Sequence, residues 1–201
     1  MRLVTIIPTG TANTASVVAA LTRLGAEVEE AASAGEVETS PGVVLPGVGA
    51  FGSAMDRIDS LGLAAAIRER IEANRPTLAV CVGMQLLGRD SEESPGATGL
   101  KVLEETVGRF GDGVTAPQMG WNRVEPGSGS QFVESGWAYF ANSYRIDRLP
   151  EGWVGSITDH GGEFVAALEK GDVLGCQFHP ELSGEWGARL LDRWLQRVQA
   201  A

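Results

Sequence analysis

Cysteine and histidine are both scarce in this chain of 201 residues, with two of each. Cys81 and Cys176 show no CxxC spacing, which argues against a disulfide scaffold and against a structural zinc site. No run of lysine or arginine interrupts a formal net charge of −10. A chain so acidic repels a phosphate backbone, so nucleic acid is not an expected partner, and the acidic residues are read as serving solubility. No apolar stretch approaches the roughly 18 residues needed to cross a bilayer. The opening residues Met1 to Pro8 are too short an apolar run for the core of a signal peptide. Proline and glycine follow at once, as after a first strand. The expectation is a soluble protein of the cytoplasm. What the sequence does hold is 43% hydrophobic residues, 21% charged residues and 27 glycines. That composition predicts a buried core with many tight turns, and the length suits one domain spanning residues 1–201.

The first half alternates short apolar runs with helical patterns. Leu3 to Ile7 reads as a buried strand, followed by a helix from about Thr14 to Leu24 with Asn13 as N-cap. Gly25 serves as the residue after that helix, leading into a strand over Ala26 to Glu30. Val43 to Leu45 is a short third strand. Helices follow over about Gly52 to Ser60 and Leu63 to Asn74. Thr77 to Val80 is a strand running straight into Cys81, and Met84 to Leu87 starts another helix. This alternation predicts an α/β protein whose mainly parallel sheet is flanked by helices. From about Gly120 the strand candidates are Trp121 to Val124, Trp137 to Tyr144, Trp153 to Thr158, Phe164 to Leu168 and Val173 to Phe178. Turns rich in Gly, Ser, Asp and Pro join them, so antiparallel pairing at the sheet edge or a small second sheet is expected. An amphipathic helix over about Glu185 to Val198 closes the chain.

Three segments carry chemistry. Cys81 sits where a buried strand meets a helix, a sharp turn that exposes a nucleophile above the strand ends. The helix N-terminus favours a thiolate there, and unpaired N–H groups are aimed where an oxyanion would form. Gly83 removes a side chain that would crowd the turn. On spacing alone Cys81 is equally well an inert buried thiol. Of the two histidines, His160 falls in the turn Asp159-His160-Gly161-Gly162 and reads as a surface residue. His179 ends a strong strand, and Glu181, two residues on in an extended segment, points to the same side and reaches its ring. A carboxylate on one ring nitrogen fixes the tautomer and leaves the other to take a thiol proton. A surface pair at a strand end is the alternative. Third, Leu45-Pro46-Gly47-Val48-Gly49-Ala50-Phe51 places two glycines after a buried strand, where a loop can present backbone N–H groups to an anion. No Gly-Lys-Ser/Thr follows, so it is not a phosphate loop, although a plain strand–helix turn fits equally well.

Together with Met119-Gly120-Trp121-Asn122 and Gln177-Phe178-His179-Pro180-Glu181, these segments resemble the class I glutamine amidotransferases, in the order typical of that family. The Gly-Val-Gly-Ala-Phe, Gly-Met-Gln-Leu-Leu and Met-Gly-Trp-Asn stretches look like the glutaminase subunits of imidazole glycerol phosphate synthase, and the resemblance spans nearly the whole chain. It implies that Cys81 attacks the side-chain amide of glutamine, with His179 as base and then acid and Glu181 as its orienting partner. It implies oxyanion donors at Val82 and in the loop of Val48 and Gly49, a substrate-holding Gln85, and substrate contacts through the backbone of Ser143 and Tyr144. No metal and no cofactor are implied. The implied partner is a (β/α)₈-barrel cyclase that receives ammonia shielded from bulk water and uses it in histidine biosynthesis.

The chain also departs from that pattern. Ala79 stands two residues before the nucleophile where glycine is usual. Gln118 and Asn142 replace histidines, Pro8-Thr9-Gly10 replaces Asp-Tyr-Gly, and Leu182 stands where lysine is common. These changes bear on partner contacts and coupling more than on chemistry. A glutaminase that feeds pyridoxal phosphate synthesis shares the His-Pro-Glu-Leu ending, but lacks the Met-Gly-Trp-Asn stretch. A non-catalytic module on the same fold is disfavoured by the intact triad, and a cysteine peptidase by the full motif set.

Overall fold

A computed structural model of the chain describes residues 2–10, 14–47 and 49–200. In chain order the first half contains β1 (Arg2–Ile6), α1 (Ala15–Arg23), β2 (Ala26–Glu30), α2 (Ala34–Thr39), β3 (Gly42–Leu45), α3 (Phe51–Ser60), α4 (Ala64–Glu72), β4 (Thr77–Val80) and α5 (Val82–Gln85). The second half contains β5 (Asp90–Ser91), β6 (Thr106–Arg109), β7 (Gln118–Pro126), β8 (Gly136–Asn142), β9 (Tyr144–Arg145), β10 (Val154–Asp159), β11 (Glu163–Lys170), β12 (Val173–Cys176), a 3₁₀ turn (Pro180–Leu182) and α6 (Gly184–Ala200).

Among the described residues, nine strands form one sheet in the order β2-β1-β3-β4-β12-β11-β10-β7-β8. The first five are parallel; from β11 onward neighbours run antiparallel. This is the mixed α/β sheet flanked by helices expected from the sequence, with its parallel pairings confined to the first five strands. Strands β3, β4 and β12 are buried along their whole length, as parallel strands covered on both faces must be. Their register aligns Leu45 with Ala79 and Val80 with Cys176, so the chain leaves all three strands at one end of the sheet. Carboxyl ends of adjacent strands are where open α/β sheets build their sites. Helix α6 packs Trp186, Leu190, Leu191, Trp194, Leu195 and Val198 inward. It lies so close to the sheet that a Cβ on Gly42 would come within 2.6 Å of Val198.

The antiparallel half does not run flat to its edge. The register slips between Ser156 and Ile157, a bulge of the kind that bends a sheet. Edge strand β8 returns over the ends of β4 and β12, where Tyr139 bridges His179.

Several boundaries differ from expectation. Asn13, the expected N-cap of α1, lies outside the described residues; Thr14 holds the cap position. Gly25 has φ 82°, the left-handed conformation expected after α1. Helix α2 was not anticipated, since only Val37 of it is buried. Its signal is a capping box: Ser33 Oγ accepts from Glu36 N–H, and Glu36 reaches back to Ala32 N–H. Helix α5 starts at Val82 rather than Met84, because Cys81 itself makes the strand-to-helix turn. The strand expected from Trp137 to Tyr144 breaks at Ser143: β9 leaves β7 and pairs with β6 in a small three-stranded sheet with β5. The strand expected to reach Phe178 ends at Cys176, beyond which the chain crosses to β8.

Candidate active site

Cys81 has φ 52° and ψ −111°. A side chain bearing a Cβ rarely adopts this conformation, at a cost of about 1–3 kcal/mol, and it persists where packing over-determines it. Here Cys81 N–H donates to the Cys176 carbonyl at 2.6 Å, and glycines make room on the other side. A Cβ on Gly83 would lie 2.0 Å from the Leu45 oxygen, and one on Gly47 would lie 2.1 Å from the Gly83 nitrogen. The glycine loop therefore rests directly on the nucleophile turn. Helix α5 is a single turn, so its macrodipole contributes little to a thiolate. A carboxamide also donates to the sulfur: Gln177 Nε2 is 3.7 Å from Cys81 Sγ.

His179 and Glu181 form the expected pair: Nδ1–H donates to Glu181 Oε1 at 2.8 Å, with side chains 6% and 4% exposed. The route to it differs from the expected extended segment. Only His179 is extended (φ −99°, ψ 96°), and Pro180 begins a 3₁₀ turn that folds Glu181 back onto the ring. Ser183 sets this turn. Its Oγ donates to the His179 carbonyl at 2.6 Å and accepts from Tyr139 N–H at 3.0 Å, while His179 N–H donates to the Tyr139 carbonyl at 2.9 Å. The hydroxyl is thus inserted into what would be a two-bond strand pairing. Burial by itself lowers the pKa of His179. Hydrogen bonds with Cys81 and Glu181, and the charges of both, outweigh that and push it up to about 10. The ring thus holds a proton at neutral pH, with Cys81 on the side opposite Glu181.

Cys81, His179, Gly49, Val82, Gln85, Ser143 and Tyr144 line one cavity of about 300 Å³. Val48 lies outside the described residues, and Glu181 stands behind His179 rather than on the cavity wall. Val82 N–H, an expected oxyanion donor, donates to the Gly47 carbonyl at 3.3 Å; an oxyanion gains it only when that contact opens. Both hydrogens of Gln85 Nε2 are committed, to the Tyr144 carbonyl and to Gln177 Oε1 at 3.0 Å each, so its own oxygen is what it offers the cavity. Glu93 and Ala141 also line the wall. Glu93 carries no signal in the sequence; it lies in the polar run Ser91-Glu92-Glu93-Ser94, and its carboxylate accepts from Phe51 N–H at 2.7 Å. Asn142, noted only as a departure, lines the cavity and donates through Nδ2 to the Tyr144 carbonyl.

The other candidates fall away from the cavity. His160 is half-buried and donates to the Thr115 carbonyl at 2.7 Å. Cys176 is fully buried, and burial holds its thiol well above the usual range, with the charges of Glu169 and Glu181 adding to the effect; it is an unreactive core thiol.

A thiol, a buried His–Glu pair and a two-glycine loop at the carboxyl ends of the parallel strands of a mixed sheet match what comparison with known proteins finds. The family model for class I glutamine amidotransferases matches residues 6–198, and the chain belongs to that family. It is 42% identical over 205 residues to the imidazole glycerol phosphate synthase subunit HisH of Moorella thermoacetica, covering 100% of this chain and 98% of that protein. It is 36% identical over 200 residues to the chloroplastic imidazole glycerol phosphate synthase hisHF of Arabidopsis thaliana, covering 96% of this chain and 34% of that protein. Among solved structures, a glutamine amidotransferase superimposes with a TM-score of 0.78 at 24% identity, over 98% of each chain, which is a likeness of fold.

Proposed function

We propose that this chain, acting as one glutamine amidotransferase domain, is the glutaminase subunit of an imidazole glycerol phosphate synthase. The observation that carries the reading is the convergence of Cys81 and His179, backed by Glu181, on one cavity at the carboxyl ends of β4 and β12. Full-length similarity to HisH proteins supports it. Cys81 Sγ, its proton already held by His179, attacks the amide carbon of glutamine as the thiolate. The tetrahedral oxyanion takes the Val82 N–H as the Gly47 carbonyl withdraws, with a second donor from the loop of Val48 and Gly49. His179 then protonates the departing nitrogen, which leaves as ammonia, and activates water to cleave the thioester and free glutamate. The Glu93 carboxylate and the free oxygen of Gln85 suit the substrate's α-ammonium, and backbone groups of Ser143 and Tyr144 complete the grip. None of these steps calls on a metal or cofactor.

The product is destined for a (β/α)₈-barrel cyclase, with which the chain forms a heterodimer in the cytoplasm. Ammonia channelled to that partner feeds the lyase step of histidine biosynthesis. Supporting this is an apolar surface beside the site: Met119, Trp121 and Leu182 are 69%, 55% and 46% exposed. Exposed side chains of this kind mark docking faces. The plant relative, of which this chain covers about a third, is consistent with a counterpart joined to a larger polypeptide.

The deciding assay is ammonia release from glutamine, alone and with the barrel cyclase and its substrate. Release is expected to be low alone and much higher in the complex, absent in Cys81→Ala and retained in Cys176→Ala. Ammonia release by Cys81→Ala would sink the mechanism. Strong activity indifferent to the cyclase would sink the partner assignment but leave the glutaminase.

A further inference from the structure

Beside the nucleophile lies a carboxamide that the triad does not use. Gln177 has no exposed surface. Its Nε2 is 3.7 Å from Cys81 Sγ, and its Oε1 is 3.0 Å from Gln85 Nε2. Gln85 Nε2 is also 3.0 Å from the Tyr144 carbonyl oxygen, which receives Asn142 Nδ2 at the same distance. A backbone carbonyl can only accept, and a carboxamide donates from one end and accepts at the other. The end of Gln85 facing Tyr144 is therefore its NH₂, the end of Gln177 facing that NH₂ is its oxygen, and the end of Gln177 facing sulfur is its NH₂. Turning either carboxamide over would set like groups against each other. One main-chain carbonyl thus fixes a hydrogen-bond donor on the sulfur, through two side chains lying 59 and 92 positions from their partners.

We propose that Gln177 is a catalytic residue of the thiol site, donating an N–H hydrogen bond to Cys81 Sγ that stabilises and aims the thiolate. Besides His179, the sulfur also faces the Ala141 carbonyl at 4.0 Å, an acceptor that suits the thiol but not the thiolate. With the thiol proton on His179, the sulfur needs a donor rather than an acceptor; Gln177 supplies one and transfers no proton of its own. Hydrogen bonds to an ionised partner are roughly twice as strong as neutral ones, and in a buried site no water competes for them. Because Gln85 lines the cavity, a substrate that engages Gln85 also steadies the donor on sulfur. That coupling rests on the glutaminase reading; the donation to sulfur does not.

The test is alkylation of Cys81 by iodoacetamide in the full chain, followed by mass spectrometry of the Cys81 peptide across a pH series. Gln177→Leu is expected to slow alkylation at neutral pH about tenfold or more, and to move the half-maximal pH upward. Gln177→Glu keeps the volume but replaces the donor by a carboxylate oxygen, and is expected to move it further the same way. Should the leucine variant fail to fold, the glutamate variant carries the test. Wild-type alkylation rates and pH dependence in a folded variant would overturn the proposal, even if ammonia release fell, because Gln177 would then merely hold Gln85. Wild-type protein that alkylates at Cys81 yet releases no ammonia from glutamine even with the barrel cyclase and its substrate present would overturn the glutaminase reading and leave the donation to sulfur standing.

Discussion

At the scale of single residues, the site is governed by which atoms have somewhere to go. His179 is boxed in: Glu181 takes Nδ1–H, Ser183 and Tyr139 take its backbone, and Cys81 faces the remaining ring nitrogen. The folded protein therefore binds the ring proton more tightly than the unfolded chain does, at about 10 against 6.5. The sign follows. The stability this contributes is whole below about pH 6.5 and drains away as pH rises toward about 10. Urea unfolding of wild type and His179→Gln over that range checks it: the gap between the two should narrow with rising pH, and a constant gap would count against the pairing. The grouping of Cys81, His179 and Glu181 was legible from the sequence. Two histidines and one cysteine at a strand–helix junction leave few combinations. Gln177 and Glu93 were not legible as site residues, because what each touches comes from a distant stretch of chain: Gln177 meets Cys81 across 96 positions, Glu93 meets Phe51 across 42.

At the scale of elements, the strand leading into Cys81 is held at its start by a buried cation that has no counter-ion among the described residues. Arg70, 2% exposed on α4, donates to Thr77 Oγ1 and to the carbonyls of Val37, Ser40, Pro41 and Pro76. These groups belong to the end of α2 and to the entries of β3 and β4, so one guanidinium fork ties three elements together. Burial, helped by the charge of Arg75, lowers its pKa to about 10, which still leaves it charged at neutral pH. Arg70→Met should strand several buried carbonyls and destabilise by about 3–5 kcal/mol. Arg70→Lys should recover only part of that, since an ammonium cannot span the same set. Denaturant midpoints read both; a methionine variant of unchanged stability would refute the clamp. Elements were legible where burial alone decides them, as in the apolar runs of β3, β4 and β12 and the inward stripe of α6. They were illegible where one polar side chain decides. Helix α2 hangs on Ser33 and Glu36, and the 3₁₀ turn that aims Glu181 hangs on Ser183.

At the scale of the whole molecule, a net charge of −10 coexists with an uncharged patch at the rim of the site. Trp121 is 55% exposed and meets Tyr139 edge-on at 6.1 Å. Its removal should barely move the melting temperature of the free chain, while weakening association with the proposed cyclase partner about thirtyfold or more, as for an aromatic anchor. Titration of the two subunits against each other measures this; unchanged affinity would place the partner elsewhere. Because Leu182 and Met119 in the same patch carry no charge, the loss should be nearly the same at low and high salt.

Strand β8 gives this surface a consequence of its own. Its residue Tyr139 presents a ring to Trp121 on the outer face and binds the backbone of His179 on the inner. Two ligands that read the same rigid strand share a thermodynamic cycle. If occupancy of the outer face tightens glutamine binding by some factor, bound glutamine must tighten the grip on the partner by that same factor. Each turnover would then end with a looser complex than it began, making the pair a cycling assembly whose lifetime is set by the supply of glutamine.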